Sequence, residues 1–412
     1  MVHALRIHIA LCALAVVAFG ISQPSPASDT FRVATYNTSL FRDKDGQLIR
    51  DLASGNNEQA RKIAEVIQRV RPDILFLNEF DYDEAGRAAE LFRSKYVAVG
   101  QKGLEPIKFN YFYTGPVNTG VQSGRDLGHN GKTGDGDDAF GFGRHPGQYG
   151  MLVLSRFPVL TEKVRSFQKF LWRDMPNAML PIVPRTNKPF YSEGDLAIFR
   201  LSSKSFWDVP LEITLNSAAP SSTAAGGGRP FTLHLLCSHP TPPVFDGPED
   251  RNGRRNHDEI RLIADYLSGD PAQSAYLKDD AGHTGGLAAT ENFVITGDLN
   301  CDPVDGEGLR STMPQLLESP RVDAAFTPAS EGGPLIVKQF PEQFRHYHGD
   351  PARVTSNFTE EGHGCLRIDY VLPSRGLEVI RGGIFWPKSD DPGADAISAT
   401  DHRCVWLDLK IK

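Results

Sequence analysis

Residues 292–300 read Asn-Phe-Val-Ile-Thr-Gly-Asp-Leu-Asn. The apolar run in this stretch predicts a buried β-strand, and the polar residues that close it place Asp298 and Asn300 at the strand's end. A second string, Ala-Thr-Asp-His at 399–402, stands just before another apolar run at 404–407. An Asp and an Asn at one strand end, with a distant Asp-His pair at a strand start, can hold a divalent cation, orient a water molecule and stabilise a phosphoryl transition state.

The composition is that of a soluble globular protein, with 40% hydrophobic and 23% charged residues in a chain of 412. This length allows one large α/β domain with insertions, or two to three domains. The net charge of −7 argues against a protein that clamps nucleic-acid backbones irrespective of sequence, because such proteins carry a basic surface. A nuclease whose metal ion supplies the local positive charge is still compatible with it.

The first 27 residues predict a secretory signal peptide. Arg6 gives a weakly positive start, residues 9–21 are mostly apolar, and residues 25–27 (Ser-Pro-Ala) offer small side chains for cleavage. The alternative is an uncleaved membrane anchor, for which the apolar stretch is short. We therefore expect a secreted or periplasmic protein, monomeric and without stable membrane insertion after cleavage.

The chain after this leader begins with a strand, a helix and a second strand. Residues 31–37 predict an extended strand, and residues 74–77 predict a buried one. An apolar stripe with helical spacing lies between them, at Ile63, Val66, Ile67 and Val70. Parallel strands joined by a helix end at the same edge of a sheet. Asn37 and Glu79 are therefore predicted to lie near each other, and Glu79 is a hard oxygen ligand suited to Mg²⁺ or Ca²⁺.

Two more strands deliver polar residues. Residues 231–238 predict a strand that leads into His239, which could protonate a leaving oxygen or serve a structural role. Asp369 lies inside the apolar strand 366–372, where a carboxylate is costly unless paired. We expect Asp369 to accept a hydrogen bond from His402 and to fix the tautomer of that ring.

Two candidate pairs follow from adjacent residues. Asp401 and His402 cannot point the same way in an extended segment, so Asp401 is predicted as a ligand or acceptor and His402 as an acid/base group. Arg254 and Arg255 stand before a helix predicted at 257–267. They could hold a substrate phosphate at the helix N-terminus, and a solvated basic turn is an equal alternative.

Residues 100–147 predict a long loop insertion, because they are rich in glycine and have only short apolar runs. Residues 126–131 loosely match a calcium loop but lack its closing Glu, so a plain polar loop is favoured. Residues 216–230 predict a flexible hairpin loop. The chain has no clean linker, and residues 31–410 predict a single α/β domain.

Four cysteines remain after the predicted cleavage: Cys237, Cys301, Cys365 and Cys404. An even number in an exported protein permits two disulfides, and buried thiols are the alternative. Their spacing fits no zinc site, because no Cys-x-x-Cys occurs.

Six short motifs occur in a fixed order: Thr-Tyr-Asn at 35–37, Asn-Glu at 78–79, Ser-His at 238–239, Gly-Asp-Leu-Asn at 297–300, Arg-Ile-Asp-Tyr at 367–370 and Thr-Asp-His at 400–402. Together they resemble the endonuclease/exonuclease/phosphatase superfamily, which includes deoxyribonuclease I. The resemblance extends from residue 31 to about residue 410. It departs at 147–150, where Gly-Gln-Tyr-Gly has no acid to support His239 as a Glu supports the corresponding histidine of deoxyribonuclease I.

The resemblance implies an α/β fold, a four-layered α/β/β/α sandwich of two packed mixed β-sheets. It also implies a divalent metal, normally Mg²⁺ with Mn²⁺ or Ca²⁺ as alternatives, and in-line attack of water on a phosphoester. In that picture Glu79 anchors the metal, with Asn37 and Asp401 near it. Asp298 orients or deprotonates the water. The remaining roles fall to Asn300 and His239 at the phosphate and to Asp369 with His402 as the paired acid/base element.

The function predicted first is therefore a secreted, metal-dependent hydrolase of phosphoester bonds: a phosphodiesterase, nuclease or phosphatase. A phosphoester is the expected partner, and nucleic acid is a substrate class that the net charge does not favour. Two alternatives stay open. One is an inactive binding module on the same fold, and the other is a calcium-dependent extracellular adhesion protein built on the Asp-rich loop.

Overall fold

The computed structural model describes residues 29–215 and 230–412. The predicted signal peptide and nearly all of the predicted loop at 216–230 lie outside the described residues. Strands and helices are numbered along the chain. None of the described helices is long and apolar enough to cross a membrane.

The first sheet has six strands and one parallel pair, β1 with β2, while its other neighbours are antiparallel. Its spatial order is β12 (Leu377–Phe385), β13 (Cys404–Ile411), β1 (Phe31–Leu40), β2 (Ile74–Phe80), β4 (Met151–Ser155) and β3 (Tyr111–Tyr113). The predicted parallel pairing of the first two strands is confirmed. Strand β3 lies inside the segment predicted as a loop at 100–147, which is otherwise irregular apart from one 3₁₀ turn at Gly136–Asp138.

The second sheet has five strands and again one parallel pair, β9 with β10. Its spatial order is β11 (Asp369–Pro373), β10 (Asn292–Asp298), β9 (Phe231–Ser238), β8 (Phe206–Ile213) and β5 (Arg165–Ser166). A separate two-stranded ribbon pairs β6 (Ile182–Val183) with β7 (Lys188–Pro189). Each large sheet therefore has a parallel pair flanked by antiparallel neighbours.

All but the last of the described α-helices lie on the outer faces of the two sheets, and the last packs against the core between them. The helices are α1 (Gln47–Ala53), α2 (Glu58–Val70), α3 (Arg87–Phe92), α4 (Glu193–Leu196), α5 (Arg251–Leu267), α6 (Pro271–Ser274), α7 (Pro314–Leu317) and α8 (Gly332–Gln339). Helix α2 begins where the Asn57 side chain accepts a hydrogen bond from Ala60 N, which satisfies one free amide of the first turn. Its buried stripe packs on the first sheet, and α5 packs on the second.

A third core lies between the two sheets. Phe76 and Val153 of the first sheet pack there with Val209, Leu235 and Val294 of the second. Apolar side chains thus fill both faces of each sheet, which explains why the central strands are nearly continuous hydrophobic runs. The predicted four-layered sandwich is confirmed.

The topology brings the polar strand ends together. Strands β1, β2, β9 and β10 all end at one rim, and the antiparallel strands β11 and β13 start at that same rim. Asp298, the last residue of β10, is the direct partner of Asp369, the first residue of β11. Residues far apart in the sequence therefore converge at one end of the sandwich.

All four cysteines of the described chain are buried and free. Each thiol belongs to a packed core, so oxidation is not needed to hold it in place. We expect reducing agent to leave the melting temperature unchanged, as measured by circular dichroism with and without dithiothreitol. A drop of several degrees in the reduced sample would instead indicate a disulfide, because losing one typically costs about 2–5 kcal/mol.

Candidate functional site

Asp298 is the centre of the convergent cluster. Asn37 Nδ2 donates a hydrogen bond to Asp298 Oδ2 at 3.0 Å. His239 Nε2 lies 3.4 Å from the same oxygen and 4.0 Å from Glu79 Oε1. Glu79 and Asp298 therefore face one cleft, with Asn37 and His239 between them.

The turn after β10 is fixed by its own hydrogen bonds. Asn300 N donates to Asp298 Oδ1 at 2.9 Å, and Asn300 Nδ2 donates to Pro240 O at 3.1 Å. Asn300 has a left-handed backbone with φ of 52°, which asparagine tolerates better than most residues. The turn is thereby tied to the loop that follows His239, and one carboxylate oxygen of Asp298 is held in place.

His402 and Asp369 form a buried pair. His402 Nδ1 lies 2.9 Å from Asp369 Oδ2, and His402 Nε2 lies 3.6 Å from Asp298 Oδ2. Thr355 Oγ1 accepts a hydrogen bond from Asp369 N at 3.0 Å, and Phe358 packs edge-on against the imidazole with ring centroids 5.8 Å apart. The ring is thus clamped between two carboxylates, with Nε2 aimed at the cleft.

Asp401 departs from the predicted geometry. Its Oδ1 lies 3.9 Å from His402 Nε2, so the two adjacent side chains approach each other at the cleft. The expectation that they point apart is wrong, because strand β13 begins only at Cys404 and the chain bends at Asp401. Asp401 is 40% exposed in its side chain, and its Oδ1 also accepts from Ser39 Oγ at 3.4 Å.

The two histidines have opposite protonation tendencies. Burial acts to lower the pKa of His402, but the carboxylates of Asp369 and Asp298 raise it well above its usual value. Burial lowers the pKa of His239 well below its usual value, and the charges of Lys204 and His402 add to this effect. At neutral pH His402 is therefore a cationic donor and His239 a neutral ring, a separation typical of acid/base sites.

Within the described ranges, His239 lacks a hydrogen-bond partner for its second ring nitrogen, whereas His402 has Asp369. The Nδ1 atom of His239 is buried and has no hydrogen-bond partner among the described residues. Gln148, from the segment without an acid, instead accepts from Arg144 N at 2.7 Å and donates to Arg42 O at 2.8 Å. A neutral histidine without a second-nitrogen partner can hydrogen-bond a phosphate oxygen, but it is poorly equipped to stay protonated as a general acid.

Two of the carboxyl groups in the cleft, those of Asp298 and Glu79, are hard to ionise. Burial raises the pKa of Asp298 to about 7, although His402 opposes the shift. Burial also raises the pKa of Glu79, opposed by His402 and Lys204. A carboxylate with a pKa near 7 is well matched to accepting a proton from water at neutral pH.

Lys204 is a site residue that the sequence interpretation missed. It is 7% exposed, and burial lowers its pKa against the opposing charges of Glu79, Glu259 and Asp298. It stands two residues before β8, which is antiparallel to the strand that ends at His239. The only signal in the sequence is a lysine just before an apolar strand, which is too common to single out.

The prediction that Arg254 and Arg255 precede a helix N-terminus is wrong, because α5 begins at Arg251. Arg255 is buried, and its guanidinium donates to the backbone oxygens of Leu201, Phe140 and Arg200. Since these bonds hold the guanidinium inside the protein, it does not fit the predicted role of holding substrate phosphate. Arg254 lies one turn into the same helix and is partly buried.

The donor set fits a divalent cation. Four acidic side chains lie against three cations here; the acids are Glu79, Asp298, Asp369 and Asp401, and the cations are Lys204, His402 and Arg403. Buried carboxylates in excess are costly without a counter-ion, and hard oxygen ligands suit Mg²⁺ or Mn²⁺. Asp298, Asp369 and His402 form the one group of acidic and histidine side chains in the described ranges whose ligand atoms lie within 4.8 Å of one another.

The Asp-rich segment does not form such a group. Asp126 accepts from Asn130 N and Gly131 N, and Asp138 accepts from Leu127 N, Gly128 N and Gly134 N. These carboxylates satisfy amides of their own loop, as in ordinary polar turns. The favoured interpretation of a plain polar loop is consistent with this arrangement.

Comparisons with known proteins agree with the geometry. The model of the Endonuclease/Exonuclease/phosphatase family matches residues 34–402. No curated protein matches the chain in sequence.

Three solved structures illustrate the similarity. An endonuclease/exonuclease/phosphatase from Beutenbergia cavernae is 17% identical, covers 93% of this chain and 72% of its own, and has a TM-score of 0.45. Sphingomyelinase C from Streptomyces griseocarneus is 16% identical, with 92% and 99% covered and a TM-score of 0.45. A family protein from Leptotrichia buccalis is 12% identical, with 93% and 99% covered and a TM-score of 0.43.

Proposed function

Because the chain belongs to the endonuclease/exonuclease/phosphatase family, we propose that it is a secreted, metal-dependent hydrolase of phosphoester bonds. The observation that carries this proposal is the cleft in which Asp298 meets His239 at 3.4 Å and His402 at 3.6 Å. Secretion is proposed from the signal-like composition of residues 1–27.

Each residue of the cleft has a separate role in the proposed hydrolysis. Asp298 accepts the proton of the attacking water, since its pKa of about 7 lets it act as a base at neutral pH. His402, held as a cation by Asp369, donates from Nε2 to the phosphate as negative charge develops. His239 and Asn300 contact the phosphate oxygens from the other side of the cleft.

Charge neutralisation completes the proposed mechanism. Glu79 would hold a divalent metal with Asn37 and Asp401, and Mg²⁺ is the ion we propose. When bound, such an ion neutralises charge on the phosphate and favours attack at phosphorus. Lys204 contributes a second fixed positive charge on the side of Glu79 and Asp298.

The function can be tested with purified protein and Mg²⁺ on a panel of phosphoesters. The panel comprises bis-p-nitrophenyl phosphate, plasmid DNA, RNA, sphingomyelin, inositol phosphates and simple monoesters. Turnover in ¹⁸O-labelled water is expected to place one solvent oxygen on the phosphoryl product. A wild-type protein no more active than Asp298→Ala on every substrate would reject the hydrolase and favour the inactive binding module.

Lys204 provides a prediction specific to this chain. We expect Lys204→Met to lower kcat/KM by roughly 10²-fold, because a fixed charge near the developing transition-state charge is lost. Lys204→Arg should recover part of this activity. The measurement is steady-state hydrolysis of the best substrate in the panel, with the melting temperature as a check on folding.

Lys169→Met is the matched control for this prediction, since Lys169 is exposed. It should have wild-type kinetics. If Lys204→Met lowers the melting temperature but keeps the wild-type kcat/KM, Lys204 serves only to balance the buried acids.

A further inference from the structure

Three aromatic side chains form a ledge beside the cleft. The rings of Phe41 and Tyr149 have centroids 4.4 Å apart, and those of Phe142 and Tyr149 have centroids 6.5 Å apart. We call these three residues the aromatic ledge. None of them belongs to the catalytic cluster described above.

The ledge is built onto the strands that carry the cleft residues. Phe41 directly follows β1, the strand of Asn37. Tyr149 N donates to Asp81 Oδ1 at 3.2 Å, and Asp81 stands two residues after Glu79. Burial raises the pKa of Tyr149, and the negative charge of Glu79 is the next largest cause. Phe80 N also donates to Gly150 O at 3.0 Å, so the residues that follow Glu79 and Tyr149 are directly joined and the ledge is attached next to the acidic end of the cleft.

The ledge has a strained backbone at Tyr149 and an exposed ring at Phe142. Tyr149 has a left-handed backbone with φ of 56°, the same unusual conformation as Glu79 with φ of 56°. Such strain persists only where the surroundings impose it, and it concentrates at functional sites. Phe142 packs over Gly136 and is still 55% exposed, so a large part of its ring is available to a ligand.

A charged pair lies next to the rings. Arg144 and Asp43 form an ion pair with Nη1 and Oδ1 2.5 Å apart, and their side chains are 61% and 65% exposed. Both charges act on the Tyr149 hydroxyl. The ledge thus offers ring faces for stacking together with a donor and an acceptor at their border, which suits a planar heterocycle with polar edges better than an alkyl chain.

We propose that the aromatic ledge binds a nucleobase-type ring of the substrate while its phosphate lies in the adjacent cleft. The substrate class is then a small nucleotide ester, which also agrees with a net charge of −7 that disfavours long nucleic acids. The proposal rests on the proposed function for the identity of the cleft, but stacking on the ledge can be measured without turnover.

Calorimetry with AMP and ribose 5-phosphate is the direct test, because the two ligands differ only in the base. AMP is expected to bind wild-type protein in the presence of Mg²⁺ about tenfold more tightly, the order expected for one stacked base. The difference should shrink to about twofold or less in Phe142→Ala. Phe326→Ala, which removes another partly exposed phenylalanine beside strand β12, is the matched control and should keep the wild-type ratio.

A turnover assay is the second test of the ledge proposal. The p-nitrophenyl ester of thymidine 5′-phosphate should be hydrolysed with a higher kcat/KM than methyl p-nitrophenyl phosphate, and Phe142→Ala should reduce only the former. Hydrolysis without any preference for the base, or a preference for p-nitrophenylphosphorylcholine, would overturn the ledge proposal and leave the hydrolase standing. AMP binding that depends on Phe142, without turnover of any substrate, would support the ledge proposal and overturn the hydrolase proposal.

Discussion

Asp298→Asn should lower kcat/KM by about 10³-fold or more, because an amide cannot accept the proton of the attacking water. The substitution keeps the size of the side chain and one oxygen that can accept from Asn300 N, but its amide NH2 cannot accept from Asn37 Nδ2. The measurement is steady-state hydrolysis of the best substrate at saturating Mg²⁺. A residual rate within about tenfold of the wild type would assign the proton acceptor elsewhere.

The same variant should still fold, because two effects on its stability oppose each other. The pKa of Asp298 is raised by burial to about 7, above the ordinary aspartate value, so its ionised form costs stability as the pH rises through that range. Asparagine carries no such cost at neutral pH, which offsets the lost hydrogen bond from Asn37, so the melting temperature should stay close to that of the wild type. Asp390→Asn, at an exposed aspartate, is the matched control and should change neither activity nor melting temperature.

Removal of divalent metal is expected to abolish activity, and Glu79→Gln should raise the Mg²⁺ concentration for half-maximal activity by at least about tenfold. The physical reason is that the amide loses the negative charge that would hold the ion. Activity with EDTA and with graded Mg²⁺ measures the first effect. Mn²⁺ binding followed by electron paramagnetic resonance gives a readout that is independent of turnover.

Glu84→Gln is the control for this prediction, since Glu84 is an exposed glutamate close in sequence. Its metal dependence should match the wild type. Full activity in EDTA would rule out a metal requirement. A Glu79→Gln protein with unchanged Mn²⁺ affinity would show that the ion is held by another group, of which Asp298 with Asp369 and His402 is the first to test.

The strand ends were predictable because their signals are local. An apolar run followed at once by Asp, Glu or His marks the end of a buried strand, and parallel topology then gathers such ends at one rim. That logic predicts that Asn37 and Glu79 lie close together and that His239 and Asp298 stand at strand ends, and the structure brings all four together.

The features that the sequence did not predict depend on contacts between residues far apart in the chain. Helix α5 starts early, at a left-handed Asp250 without a side-chain cap, so no capping signal marks it in the sequence. The carbonyls that bind Arg255 come from residues more than 50 positions away, which turns an expected surface cation into an internal one. Tyr149 and Lys204 become site residues only through packing that no local pattern encodes.

The similar arrangement of the two sheets has a consequence for the integrity of the cleft. In each sheet a parallel pair of strands with a crossover helix ends at the cleft, β1 and β2 in one and β9 and β10 in the other. The strand antiparallel to the first member of each pair is preceded by a cation, His402 in one sheet and Lys204 in the other. Each sheet therefore supplies one of these two cations to the cleft, so neither sheet alone can form the site.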